Sequence, residues 1–316
     1  MQQQECLFLK RRTEWMGIAI LMVVLYHLQC RLSLAPYTNV FKYWLFGVDI
    51  FIFLSGYGLC YSYEKNTIHR FYKNRLFRIL PLYFVQIILI QIINICTLHE
   101  FSLIDFIGEI STLSFWGLGS GYINWFVAAI LFLYILFPLF YLMVRKYGLI
   151  VLVVSYVFSI IYLRLTDDIW EHDCLVARIP AYIWGILFFL HQNNIRKISY
   201  GLVISLIFWN ISFCYDVSNF YMTACFCPLF LILLSKQIDH ICTDWYIIKK
   251  IFGNIGKYSY EIYIADHFVG VFIIWYYARF CTYTNAVYVI PIYIVISVVF
   301  AYLAIKLNKA LSKLIR

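Results

Sequence analysis

Four ionisable side chains, His27, Asp49, Asp266 and His267, fall inside stretches that are otherwise apolar. His27 stands near the end of the run "EWMGIAILMVVLYHLQCR", Glu14–Arg31. An imidazole with one unprotonated nitrogen can take a proton from a hydroxyl, and a carboxylate at its other nitrogen fixes the tautomer that allows it. His27 and Asp49 are spaced for such a pairing. Counted at the helical rise, His27 lies ~21 Å from the near edge of a ~30 Å apolar layer, hence ~9 Å below the far edge. Asp49, on a helix entering from the far side at about residue 43, is also ~9 Å deep. The same pairing would equally serve to lock two helices together. Asp266 and His267 come ~12–14 Å from the near side. Adjacent helical residues point about a quarter-turn apart, so these two are not expected to face one cavity.

A second group is basic. In "EKNTIHRFYKNRLFRILPLYF", Arg75 and Arg78 are three apart and share a helix face. Guanidinium forks suit phosphate, so this face could hold an anionic, nucleotide-like ligand. Lys65, Arg70 and Lys73 read as ordinary topology charges. Pro81 is expected in the first turn of the helix that follows, where proline is tolerated. In "FLSGYG", Ser55, Gly56 and Gly58 read as small residues that let two helices approach closely. The cysteines are scattered without CxxC or Cys/His spacing, and no metal site is expected.

The elements that must position these residues are helices in a bilayer. The chain is 64% hydrophobic and only 13% charged, with a mean hydropathy of +0.81, too little polar surface for a soluble domain of this length. Apolar segments long enough to cross a bilayer recur at about 13–31, 43–61, 79–97, 123–144, 148–165, 177–191, 200–215, 221–235, 258–279 and 286–305. Open sheets cannot satisfy their backbone in lipid, so the segments are helices. With the N-terminus cytoplasmic, only Arg31, Lys42, Arg164, Arg178 and Arg279 of the 25 basic residues fall on the outer side. That asymmetry obeys the positive-inside rule, and adding or removing one helix would spoil it. The expected fold is therefore an all-α integral membrane protein with about ten transmembrane helices and both termini cytoplasmic. It is read as one membrane domain over residues 1–316, with no appended soluble domain. The net charge of +9 is accounted for by topology signals facing anionic membrane lipids, and no nucleic-acid partner is implied.

The order of motifs carries a resemblance. A first helix ending in Tyr26-His27 is followed by "GVDIFIFLSGYGL" and "FYKNRLFRILPLY", then by "NWFVAAILFLYILFP", "ARIPAYIWGILF" and "GKYSYEIYIADHF". This series resembles the membrane acyltransferase-3 family, which includes bacterial O-acetyltransferases of surface polysaccharides, and the likeness spans essentially the whole chain. The resemblance implies that His27 is catalytic and that Arg75 and Arg78 handle an acyl-CoA donor. Asp49 matches the acidic residue of the "GVD" motif, and Arg178 matches the arginine that opens the "R-x-P" helix at the outer surface, where it could meet a glycan. Asp266 and His267 are weaker acceptor-side candidates. Family members commonly carry a basic residue eleven positions before the histidine; here that position is Met16, and Arg12, one turn earlier on the same face, is the candidate to replace it.

The activity implied is a membrane O-acyltransferase, an O-acetyltransferase in the first instance. It would move an acyl group from cytoplasmic acetyl-CoA or another acyl-CoA to a hydroxyl of a cell-surface or lipid-linked glycan, with no permanently bound cofactor. The expected location is the cytoplasmic membrane of a bacterium. Two alternatives stay open at this stage: a transporter or flippase of a lipid-linked sugar, and a non-catalytic member of a glycan-assembly complex. Direct transfer and an acyl-histidine relay are both compatible with the residues.

Overall fold

A computed structural model describes residues 11–32, 44–98, 101–119, 124–166, 170–214, 246–280 and 286–314. Among the described residues the chain is helical, with no strand. The helices are α1 (Arg12–Leu32), α2 (Phe46–Lys65), α3 (Ile68–Leu98), α4 (Leu103–Ile110), α5 (Trp125–Tyr147), α6 (Leu149–Leu165), α7 (Trp170–Val176), α8 (Ile179–His191), α9 (Ile195–Cys214), α10 (Tyr246–Lys257), α11 (Ser259–Phe280) and α12 (Ala286–Leu314). A short 3₁₀ turn, Leu113–Trp116, follows α4. Four stretches within these helices are long and apolar enough to cross a membrane: Ile68–Cys96, Trp125–Tyr147, His172–His191 and Tyr293–Leu311. The segment expected at about 221–235 lies outside the described residues.

Helix α3 corrects one expectation. It begins at Ile68 rather than at about residue 79, so Arg75 and Arg78 are carried on a continuous helix that runs on into the apolar stretch. Pro81 accordingly sits in the helix interior, not its first turn. Its ring removes the N–H that would meet the Phe77 carbonyl, a loss that membrane helices tolerate when neighbours compensate.

The chain divides into two compact units, the first made of Met1–Ala19, Leu45–Phe71 and Phe132–Lys257. Its centre is the seam between α2 and α8. A Cβ on Gly56 would collide with the Tyr182 carbonyl, and one on Gly185 with the Phe53 carbonyl, so the glycines bring two backbones into direct contact. This is the close approach expected from "FLSGYG". Helix α8 is buried from Pro180 to Phe188, which is why its sequence is apolar all round. Its buried polar groups find partners: Trp184 Nε1 and Tyr156 Oη both donate to Ser205 Oγ at 2.8 Å, and the Tyr182 hydroxyl donates to the Leu133 carbonyl at 3.0 Å.

The second unit comprises Ile20–Trp44, Tyr72–Leu131 and Tyr258–Arg316. Leu28 of α1, Val269 of α11 and Tyr293 of α12 form its described core, with Val24, Leu25, Phe268, Ile296 and Phe300 packed around them. Two side-chain bonds tie α3 to α11: Tyr260 Oη donates to the Ile79 carbonyl at 2.7 Å, and Gln86 Nε2 to the Ile264 carbonyl at 3.3 Å. The outer faces stay apolar, as Val295, Val298 and Tyr302 on α12 illustrate. Such a surface suits a lipid surround rather than water.

Candidate active site

The second unit gathers the polar residues of three helices at one point. Near the end of α1, His27 Nδ1 lies 2.6 Å from Asp266 Oδ2 of α11. The other oxygen of Asp266 accepts a hydrogen bond from the Tyr293 hydroxyl of α12. A carboxylate that accepts at each oxygen favours an imidazole proton on Nδ1, the tautomer in which a neutral ring has its lone pair on Nε2. Asp266 and Tyr293 are each only 1% exposed, whereas the His27 side chain keeps 21%. The carboxylate is dry and the imidazole keeps an open edge.

A second layer surrounds the imidazole. His267 meets it edge-on with ring centroids 6.4 Å apart, and the Tyr263 ring lies 6.4 Å from His27 and 6.2 Å from His267. Behind Tyr263 runs a buried chain of polar groups. Its hydroxyl donates to Asn124 Oδ1 at 2.6 Å, and Asn124 Nδ2 donates to Gln86 Oε1 at 3.4 Å. Asn124 also caps α5, accepting from the Val127 N–H at 3.4 Å.

Two expectations about this site are corrected. The carboxylate that meets His27 is Asp266, while Asp49 is engaged by Arg178. Depth counted from the flanking charges assumes that all helices start at one plane; His27 lies about four turns, or ~22 Å, into α1 and Asp266 only ~10 Å into α11, yet the two touch. Counts along two separate helices therefore do not give a shared depth. The second correction concerns Asp266 and His267: both approach His27, one by its carboxylate and one by its ring edge. A quarter-turn separation still allows two contacts with a side chain that lies between them.

The remaining candidates occupy other places. In the second unit, Arg75 is half-buried and Arg78 exposed on α3, one turn or less before Ile79, whose carbonyl receives the Tyr260 hydroxyl. The first turn of α11 is thereby held beside the two guanidinium-bearing residues. In the first unit, Arg178 Nε stands 3.2 Å from Asp49 Oδ1, and Arg178 Nη1 donates to the Cys174 carbonyl at 2.7 Å. Both partners are about 1% exposed, and the pair joins the first turn of α2 to the N-cap of α8. Also in that unit, the Arg12 guanidinium lies over Gly58, 3.2 Å from where a Cβ would stand. Among the described residues no three His, Cys, Asp or Glu side chains converge as metal ligands.

A family model described as an acyltransferase domain matches residues 17–306. The chain belongs to the acyltransferase-3 family. Acyltransferase-3 membership covers His27, Asp266, Tyr293, Arg75 and Arg78 alike, while Arg12 and Met16 lie just before the matched residues. No curated protein and no solved structure matches the chain. Within this acyltransferase-3 domain, sequence reasoning missed Tyr293, Tyr263, Asn124 and Gln86. Gln86 had a readable signal, an amide in the middle of an apolar stretch, as did Asn124 at the head of "NWFVAAILF". The two tyrosines had none, being two among 28.

Proposed function

We propose that this protein is a membrane O-acyltransferase that takes an acyl group, acetyl in the first instance, from cytosolic acyl-CoA to a hydroxyl of a surface or lipid-linked glycan. The observation that carries the reading is the Tyr293–Asp266–His27 chain, which engages Nδ1 of an imidazole that keeps an open edge. In the proposed step, His27 Nε2 takes the proton of the glycan hydroxyl as its oxygen attacks the thioester carbonyl. The tetrahedral intermediate collapses with loss of the CoA thiolate, which receives the proton back from His27. Asp266 stabilises the imidazolium between these two transfers. Base catalysis of this kind is typically worth ~10²–10⁴-fold. An acyl-histidine relay would use the same nitrogen.

Arg75 and Arg78 are assigned the donor phosphates. Tyr260, beside Ile79, is six residues before Asp266 on α11, so Arg78 and Arg75 stand ~10 and ~15 Å from the level of the imidazole along the helices. The pantetheine arm of the donor would span that interval. Asp49 and Arg178 are assigned to locking α2 against α8 rather than to the acceptor. Arg12, ~22 Å from His27 along α1, is assigned no contact with the reacting atoms. The proposed topology has ten crossings of the cytoplasmic membrane, with both termini on the donor side.

Acetyl-CoA binding to the purified protein tests the donor assignment. The protein should bind it, and the double change Arg75→Ala, Arg78→Ala should weaken binding by about tenfold or more, as loss of charge-assisted phosphate contacts requires. Unchanged binding in the double variant would remove the two arginines from the donor site. Absence of binding by the native protein would remove the acyl-CoA reading itself.

A further inference from the structure

We propose that Tyr263, tethered through Asn124 to Gln86, is a positioning residue that sets the orientation of the His27 imidazole. The inference rests on the acyltransferase reading above and extends it to residues that touch no substrate. Gln86 and Asn124 are each 2% exposed and Tyr263 is 8% exposed, so three polar side chains have been withdrawn from solvent. Buried amides are costly unless every group is matched, and here each link of the chain is made. An apolar trio would pack the same space without that cost. The polar chain therefore needs a reason beyond filling volume, and its two ends supply one.

At one end, Gln86 donates to the carbonyl of Ile264, two residues before Asp266. That carbonyl already has a helical partner in the N–H four residues on, so the extra bond does not complete α11. It pins the register of α11 against α3 at the level where Asp266 must reach His27. At the other end, the hydroxyl of Tyr263 is fixed on Asn124, and its ring is thereby held 6.4 Å from His27 and 6.2 Å from His267. The Phe126 ring packs against it at 5.2 Å. His27 is then bounded by a bond at Nδ1, the tilted Tyr263 ring and the edge-on contact with His267, which restricts rotation of the imidazole about its last torsion. A general base gains from such restriction because proton transfer requires hydrogen-bond reach and alignment together.

The test uses the full-length protein in membrane vesicles from a deletion strain, with labelled acetyl-CoA as donor and the vesicles' own glycan as acceptor. Tyr263→Phe keeps the ring and releases its tether. It should lower kcat by about 10- to 100-fold with the KM for acetyl-CoA unchanged, since Arg75 and Arg78 are untouched. Asn124→Leu should do the same, and the two together should cost no more than either alone. Additive losses, a raised KM with kcat unchanged, or full activity in Tyr263→Phe would each overturn the proposal. If the native protein transfers no acetyl group at all, the acyltransferase reading fails, an outcome separate from these.

Discussion

Replacing Asp266 by Asn tests the core of the site with one atom changed. Two donors converge on this carboxylate, His27 Nδ1 at 2.6 Å and the Tyr293 hydroxyl. An amide has one acceptor oxygen for two donors, and its NH₂ seeks an acceptor of its own. If the oxygen stays with Tyr293, the NH₂ faces His27 and draws the lone pair to Nδ1. The proton then moves to Nε2, the nitrogen that must accept the glycan proton. The lost charge-assisted bond is worth ~1.5–3 kcal/mol, or roughly 10- to 150-fold in rate. The wrong tautomer adds to this, and removal of a carboxylate that orients a catalytic imidazole can reach ~10⁴-fold in total. The expected loss in Asp266→Asn is therefore ~10²–10⁴-fold in kcat/KM. The assay is acetyl transfer in membrane vesicles, with a thermal melt of the purified variant to show that it folds. A folded Asp266→Asn protein that keeps more than about a tenth of native kcat/KM would refute the assignment.

Other outcomes follow from the same geometry. Tyr293→Phe keeps the buried ring and removes one donor from Asp266, so activity should fall by about tenfold in the transfer assay, with the melting temperature close to native. Asp49→Asn or Arg178→Met alone should destabilise the protein by ~3–5 kcal/mol, because each leaves a buried charge without its partner. The double change should recover much of that loss in a chemical or thermal melt. Equal destabilisation by single and double variants would mean that the pair is not what locks α2 to α8.

The helical class and most segment positions could be read from the sequence because length and hydropathy are local quantities. The apolar segments at about 13–31 and 43–61 became α1 and α2 with ends shifted by a few residues. The close approach of α2 was legible in Gly56, since a missing side chain inside an apolar run has few other uses. The start of α3 was misread because a charged stretch and a membrane helix can share one continuous helix, and hydropathy marks only where lipid begins. His27 was legible as a buried ionisable group, but its partner was not. Asp49 and Asp266 were both buried carboxylates at a plausible depth, and the choice depends on which helices adjoin α1. That is a long-range fact, set by packing between residues 239 positions apart in the chain. Tyr293 and Tyr263 were hidden for a different reason: a membrane protein uses tyrosine freely, and only its hydrogen bonds separate a working one from the rest.

The measurement that tests the central claim most directly is NMR of the native surface glycan, extracted without base so that esters survive. Three deletion strains would be compared, carrying the native protein, His27→Ala, or nothing. The account predicts glycan in all three, with O-acyl signals only in the strain that carries the native protein. O-acyl signals restored by His27→Ala would contradict the assignment of the base. Loss of the glycan itself in the deletion strain, with recovery by His27→Ala, would contradict the acyltransferase reading as a whole.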